Sequence, residues 1–385
     1  MSLDPVLLDR VRDHLAREGG PPTPGRVAAA LRHEGGGLRG DVEVLAVLRA
    51  LQSEIVGAGP LEPLLADVAV TDILVNAPDE VWVDRGAGLE RAGVHFTDET
   101  AVRRLAVRLA APTGRRLDDA QPWVDARLPD GVRLHAVLPP VSPRGTCLSL
   151  RVPRRRVFEL DELVSVGTVP PDGASLLARL VASRAAFLVS GGTGSGKTTL
   201  LSALLSLVDP AHRLLLVEDA GELAPSHPHV VRLEARAPNV EGAGEVSLRD
   251  LVRQALRMRP DRLVVGEVRG AEVVDLLAAL NTGHEGGCGT VHANSAGDVP
   301  ARLEALASAA GLGRDALHSQ LASGLRVAVH LARAPGGGRR HVGEVCVFRR
   351  ETGGLVVAER AWSWDGVGAA GTPGPAAEAL AVLLT

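Results

Sequence analysis

Gly191-Gly192-Thr193-Gly194-Ser195-Gly196-Lys197-Thr198 is the stretch from which the rest of this 385-residue sequence can be read. It fits G-x-x-x-x-G-K-[ST] at every defined position, after the apolar run AAFLVS and before the apolar run TLLSALLSLV. A strand that turns on glycines into a helix makes a concave anion site, because the loop's N–H groups point inward and the helix contributes its positive end. Gly191 through Thr199 are therefore the expected nucleotide-binding set, with Lys197 on the β- and γ-phosphates and Thr198 on Mg²⁺; the implied ligands are ATP and Mg²⁺. Lys197 is the only lysine in the sequence. The loop needs a compact point charge, which a long, forked guanidinium does not supply. A ligand-free glycine turn is the plainer alternative, and the agreement of motif with context argues against it.

Working outward, strand and helix patterns alternate: RLLLVED from Arg213, SLRDLVRQALRM, DRLVVGE, AEVVDLLAALN and CGTVHA. That order predicts a mainly parallel sheet with helices on its faces. Upstream, the strand-like runs DILVN and EVWVD, the helical TAVRRLAVRLAAPTG and a hairpin turning on Pro129-Asp130-Gly131 predict a separate mixed α/β domain. The expected organisation is a helical appendage at 1–54, an α/β domain at 55–152, a linker at 153–170, a P-loop domain at 171–335, and C-terminal strands and tail at 336–385, to which no chemistry is assigned.

Composition narrows the function classes. Aromatics are 2% of residues and tyrosine is absent, so stacking on bases is not expected, and a net charge of -4 gives no general attraction to phosphate backbones. Nucleic acid is not the expected partner. The three cysteines are scattered and lack a CxxC pair, which fits buried thiols in a reducing compartment. No run approaches 18 uninterrupted apolar residues, so a cytoplasmic chain without a membrane span is expected.

Acids and histidines complete the candidate site. LVVGE ends a buried-type strand in Glu267, the expected water-activating acid and metal-side carboxylate; Gly266 stands where most P-loop enzymes carry an aspartate. The acid pair Glu218-Asp219 ends RLLLVED, and Glu218 is the expected helper, with the order of the two glutamates left open. His284 and His292 bracket a strand in TGHEGGCGTVHANS, and His292 is placed to sense a γ-phosphate. Arg127, Arg133 and Arg151 are candidates to complete the site, with exposed sheet arginines the equal alternative. Arg257, Arg259 and Arg262 are candidates for action across a subunit interface. Two other functions fit the bare P-loop: a nucleic-acid translocase, and an ATP-gated scaffold that does not hydrolyse.

These motifs in this order resemble the type II/type IV secretion ATPase superfamily, and within it the TadA/CpaF branch that drives tight-adherence pili. The resemblance covers Ile55 to Pro335 and rests on EIVGAGPLEPLLADVAVTDILVN, ARLPDGVRLHAVLPP, GGTGSGKTTLL, VEDAGEL, LRMRPDRLVVGEVRG and TGHEGGCGTVHANS. It implies a RecA-like ATPase domain behind an N-terminal α/β domain. It further implies a homo-hexameric ring with nucleotide between the domains, and Arg127, Arg133 and Arg151 reaching its phosphates. A peripheral position at the inner membrane is implied as well, with membrane platform proteins as partners and pilin subunits moved indirectly.

Overall fold

The computed structural model describes residues 10–11, 14–15, 17, 23–35, 57–86, 88–153, 157–236, 238, 242–333 and 338–385. Contacts divide the chain into two units, Met1–Arg155 and Arg156–Thr385. Much of the expected appendage lies outside the described residues, α1 (Pro24–Gly35) being described, and so do residues 154–156 of the joint.

In the first unit, α2 (Glu62–Ala66) precedes β1 (Asp72–Ala77), β2 (Glu80–Asp84) and β3 (Leu89–Arg91). Then come α3 (Glu99–Ala110), β4 (Trp123–Arg127), β5 (Arg133–Val137) and β6 (Cys147–Arg151). The strands form one antiparallel sheet in the order β3-β2-β1-β6-β5-β4. Alternate residues such as Ile73, Val75, Leu134, Ala136, Leu148 and Leu150 are buried, as a one-sided sheet requires, and they share a core with Val102, Leu105 and Ala106 of α3. Asp98 caps α3 by accepting from the Ala101 N–H. The expected β4–β5 hairpin is present. Gly131 takes φ +93° in its turn, a left-handed value that a side chain would oppose.

The second unit begins with α4 (Leu160–Ser165) and α5 (Pro171–Ala182), then β7 (Phe187–Gly191) and α6 (Lys197–Leu205). It continues through β8 (Leu214–Glu218), β9 (Val230–Glu234), α7 (Leu248–Ala255), β10 (Arg262–Val268), α8 (Glu272–Leu280) and β11 (Cys288–Val291). Next are α9 (Val299–Ala309), α10 (Arg314–Gly324), β12 (Val327–Arg333), β13 (Arg340–Arg350), β14 (Val356–Ser363), β15 (Thr372–Pro373) and α11 (Ala377–Leu383). Strands β12-β7-β11-β10-β8-β9 pair in parallel in that order. Helices cover both faces. Phe187 and Val189 pack with α5 and α6, while Leu188 packs with α7 to α10, which is why these strands are apolar throughout rather than alternating. Each such fully buried side chain contributes about 1.5–3 kcal/mol.

Two segments differ from the sequence reading. The segment read as a linker at 153–170 contains α4, and Leu160, Leu163 and Val169 are buried in the same core as Phe187 and Leu200. An apolar spacing of three is too short to announce a six-residue helix. The C-terminal strands continue the sheet, β13 pairing antiparallel with β12, β14 with β13, and β15 with β14. The indole of Trp362 on β14 donates to Asp172 in the first turn of α5, 190 residues away, which ties the tail to the unit's core.

Candidate functional site

The site forms where β7, β8, β10 and β11 end at one edge of the parallel sheet, the edge at which doubly wound sheets place ligands. The loop after β7 is held by its glycines. Gly194 and Gly196 have φ of +66° and +97°, and a β-carbon on Gly191 would lie 2.7 Å from the Leu331 carbonyl oxygen. Gly192, Thr193 and Gly194 are exposed, Ser195 is buried, and Thr198 and Thr199 are half-buried in the first turn of α6. Lys197 is 8% exposed, and its ammonium donates to the carbonyls of Gly191 at 3.0 Å and Gly192 at 2.9 Å.

From Lys197 a polar chain runs across three strand ends. Its Nζ lies 3.3 Å from Nδ1 and 3.5 Å from Nε2 of His292, and that Nε2 lies 2.9 Å from Oε1 of Glu267. The carboxylate can only accept, so Nε2 carries a proton toward Glu267, and the ammonium beside the ring disfavours a second proton on Nδ1. The other Glu267 oxygen accepts from Nη2 of Arg269 at 2.9 Å, and the same nitrogen lies 2.9 Å from Asp219. Burial, and after it the charge of Lys197, hold the His292 pKa below the ordinary imidazole value, although Glu267 opposes them; Arg269 and Arg302 add to the lowering.

This electrostatics fixes a pH dependence. His292 and the buried His330, whose pKa is also lowered chiefly by burial, bind fewer protons folded than unfolded. The unfolded pKa is about 6.5, so their stabilisation is complete above that pH and is lost as pH falls through the folded values. Glu218, with a raised pKa, acts in the opposite sense. A melting series from pH 7.5 down to 5.5 is expected to show destabilisation that is smaller in His292→Gln; an equal acid loss in both proteins would exclude His292 as a contributor.

The structure separates several residues that the sequence grouped. Glu218 is 3% exposed and its Oε1 accepts from the N–H groups of Glu222 and Leu223 at 2.9 and 2.8 Å, while burial raises its pKa. That carboxyl shapes the acidic segment after β8. The acid beside Thr198 is Glu222, whose Oε2 lies 3.5 Å from the Thr198 hydroxyl, whereas Glu267 is engaged by His292 and Arg269. His284 is not brought to the site: it precedes β11 and contacts the Ala279 carbonyl, while His292 follows β11, and four strand residues span about 13 Å. Arg262 is buried and donates to the Val181 carbonyl. Cys288 and Cys346 are buried with thiols pushed up to about 12, which disfavours a reactive thiolate.

Gly266 also acquires a reason. A β-carbon there would lie 2.7 Å from Cγ of Glu218, whose Oε1 is pinned to the backbone. Gly266→Asp, which installs the common aspartate, adds bulk and a like charge at that contact. It is expected to cost about 1–3 kcal/mol, lowering the melting temperature by roughly 2–4 °C per kcal/mol; unchanged melting would show that Glu218 can move aside.

In the first unit, Arg127, Arg133 and Arg151 form a row. Arg127 is the register partner of Arg133, Arg133 of Arg151, and Arg151 of Asp72. Arg133 and Arg151 line a depression together with Asp72, Asp125, His135 and Ser149.

Sequence reasoning missed Glu222 and Arg269, although both stand inside the quoted boxes VEDAGEL and GEVRG. No spacing rule marks a carboxylate that reaches a helix 24 residues back.

A family model described as Type II/IV secretion system protein matches residues 54–362. A Mycobacterium tuberculosis (strain H37Rv) protein named for conjugal transfer, Rv3659c, is 61% identical over 332 residues, covering 85% of this chain and 94% of that one. The Type IV secretion system protein PtlH of Bordetella pertussis is 35% identical over 266 residues, covering 63% of this chain and 78% of its own length. The crystal structure of the pilus retraction motor PilT with bound ADP matches at TM-score 0.53 and 19% identity, covering 84% of each chain, a likeness of fold.

Proposed function

This chain belongs to the Type II/IV secretion system protein family, and on that premise we propose that it is an ATP hydrolase that powers pilus assembly or protein secretion through an inner-membrane platform. The observation that carries the reading is the Lys197–His292–Glu267–Arg269 chain beside the P-loop. Lys197 and the α6 N-terminus hold the phosphates, and Glu267 takes the proton of the attacking water. His292 keeps Glu267 oriented, and because its ring lies beside the Lys197 ammonium it reports whether phosphate has drawn that ammonium away. Hard oxygen donors fit magnesium, and the Thr198 hydroxyl with the nearby Glu222 carboxylate would hold it. A bound magnesium ion supplies charge balance for the phosphates.

The motor works as a homo-hexamer of the tight-adherence type, peripheral at the cytoplasmic face of the membrane, and moves pilin subunits indirectly through the platform. Support comes from the ordered motif set, from relatives named for conjugal transfer and type IV secretion, and from the lack, among the described residues, of any helix long and apolar enough to cross a membrane. The Arg127–Arg133–Arg151 row serves as a phosphate-binding element of the working enzyme.

Native mass spectrometry of the full chain with ATP and Mg²⁺, paired with phosphate release, tests both parts. Six-copy assemblies with turnover that rises on adding platform-containing vesicles are expected. Monomers under every nucleotide condition overturn the ring, and hexamers without turnover overturn the hydrolase.

A further inference from the structure

We propose that Arg333 and Arg340 form a cation pair, supplied by the same chain, that binds the polyphosphate of the nucleotide seated on the P-loop. The proposal rests on the nucleotide-binding reading above and assigns chemistry to a segment outside the P-loop, the acid boxes and the histidine box. Strand β12 runs parallel to β7 with Leu331 paired to Gly191, so the end of β12 continues alongside the phosphate loop. Arg333, the last residue of β12, donates from Nη2 to the Gly194 carbonyl at 2.9 Å, a contact across 139 residues. Arg340, the first residue of β13, is the register partner of Arg333, which places both side chains on one face of the hairpin. Its Cδ lies 3.9 Å from where a β-carbon on Gly196 would stand. Two guanidinium-bearing side chains thus meet two of the loop's own glycines.

The chemistry of the pair suits an anion. Arg333 and Arg340 are directly opposed across the two strands, and the planar fork of arginine matches phosphate oxygens in pairs. The chain as a whole carries a net charge of -4, so this concentration of cations beside Lys197 is local. Gly192, Thr193 and Gly194 are exposed, which leaves the loop open to a ligand on the side where Arg333 stands. The Arg333 bond to Gly194 holds the loop apex in place.

Displacement of a fluorescent ATP analogue from the full chain by ATP, ADP and AMP separates charge binding from loop shaping. The double variant Arg333→Gln/Arg340→Gln is expected to lose about tenfold or more in ATP affinity, less for ADP and nothing for AMP, with a flatter salt dependence. Arg350→Gln, at the far end of β13, removes one positive charge from the same strand and is expected to bind as wild type. The proposal is overturned if the double variant binds all three nucleotides like Arg350→Gln. Equal losses for all three, with a lowered melting temperature, overturn it too and leave these arginines a shaping role only. Lys197→Ala in the same assay keeps the two readings apart: retained wild-type affinity there removes the nucleotide site itself, whereas its loss beside an unaffected arginine double variant removes only this inference.

Discussion

Lys197→Ala is expected to abolish ATP turnover and to weaken ATP binding by about 10² to 10³, because a charge-assisted contact to phosphate contributes roughly 1.5–3 kcal/mol for each hydrogen bond lost. Stability should change far less. Lys197 is 8% exposed and its ammonium donates to two loop carbonyls, one of which, Gly192, also accepts from the Ser195 N–H; alanine thus removes a largely buried charge together with two of the donors to those carbonyls, opposing effects. Arginine at this position is not expected to rescue binding, since its longer fork does not fit between the Gly191 and Gly192 carbonyls and His292. A second readout comes from the neighbouring imidazole. Lys197 is one of the groups that lowers the His292 pKa, so its removal should raise that pKa in a histidine NMR titration. Wild-type turnover in Lys197→Ala would sink the nucleotide-hydrolase reading outright.

The same residue shows where sequence was enough and where it stopped. The loop, its strand and its helix were legible because glycine spacing and flanking apolar runs are local, and the parallel sheet followed from strand and helix alternation. Glu267 and His292 were legible as strand-end residues, since the ends of parallel strands collect at one edge. His284 was grouped with them only through its place in the same box, and a four-residue strand carries the two histidines to opposite ends. Glu218 looked interchangeable with Glu267 because both end apolar strands; burial and two backbone N–H groups decide their difference, and neither is written in a local pattern. The C-terminal strands were seen as strands but not as part of the main sheet, because periodicity names the face of a strand and not its partner. Arg333 was invisible for the same reason, its partner Gly194 lying 139 residues away.

The second large effect belongs to Glu267→Gln, which should leave ATP affinity within about threefold of wild type while lowering kcat by roughly 10² to 10⁴, the usual worth of a positioned general base. Glutamine preserves length and planarity. It can still accept from Arg269 through its oxygen, but its amide nitrogen then faces the His292 Nε2–H, so the imidazole must shift its proton to Nδ1 or turn away. Either change alters the imidazole that lies against the Lys197 ammonium. The loss therefore reaches the phosphate loop through His292 as well as the water through the missing carboxylate, and His292→Ala combined with Glu267→Gln should cost less than the sum of the two single changes. The contrast with Lys197→Ala is diagnostic, one variant losing binding and the other losing chemistry with binding intact. It also settles the scaffold alternative raised by the missing aspartate at Gly266. A protein that binds ATP without hydrolysing it would show negligible turnover before any substitution, and Glu267→Gln would then change nothing; a wild-type rate that collapses in this variant assigns the hydrolytic step to the carboxylate at the end of β10.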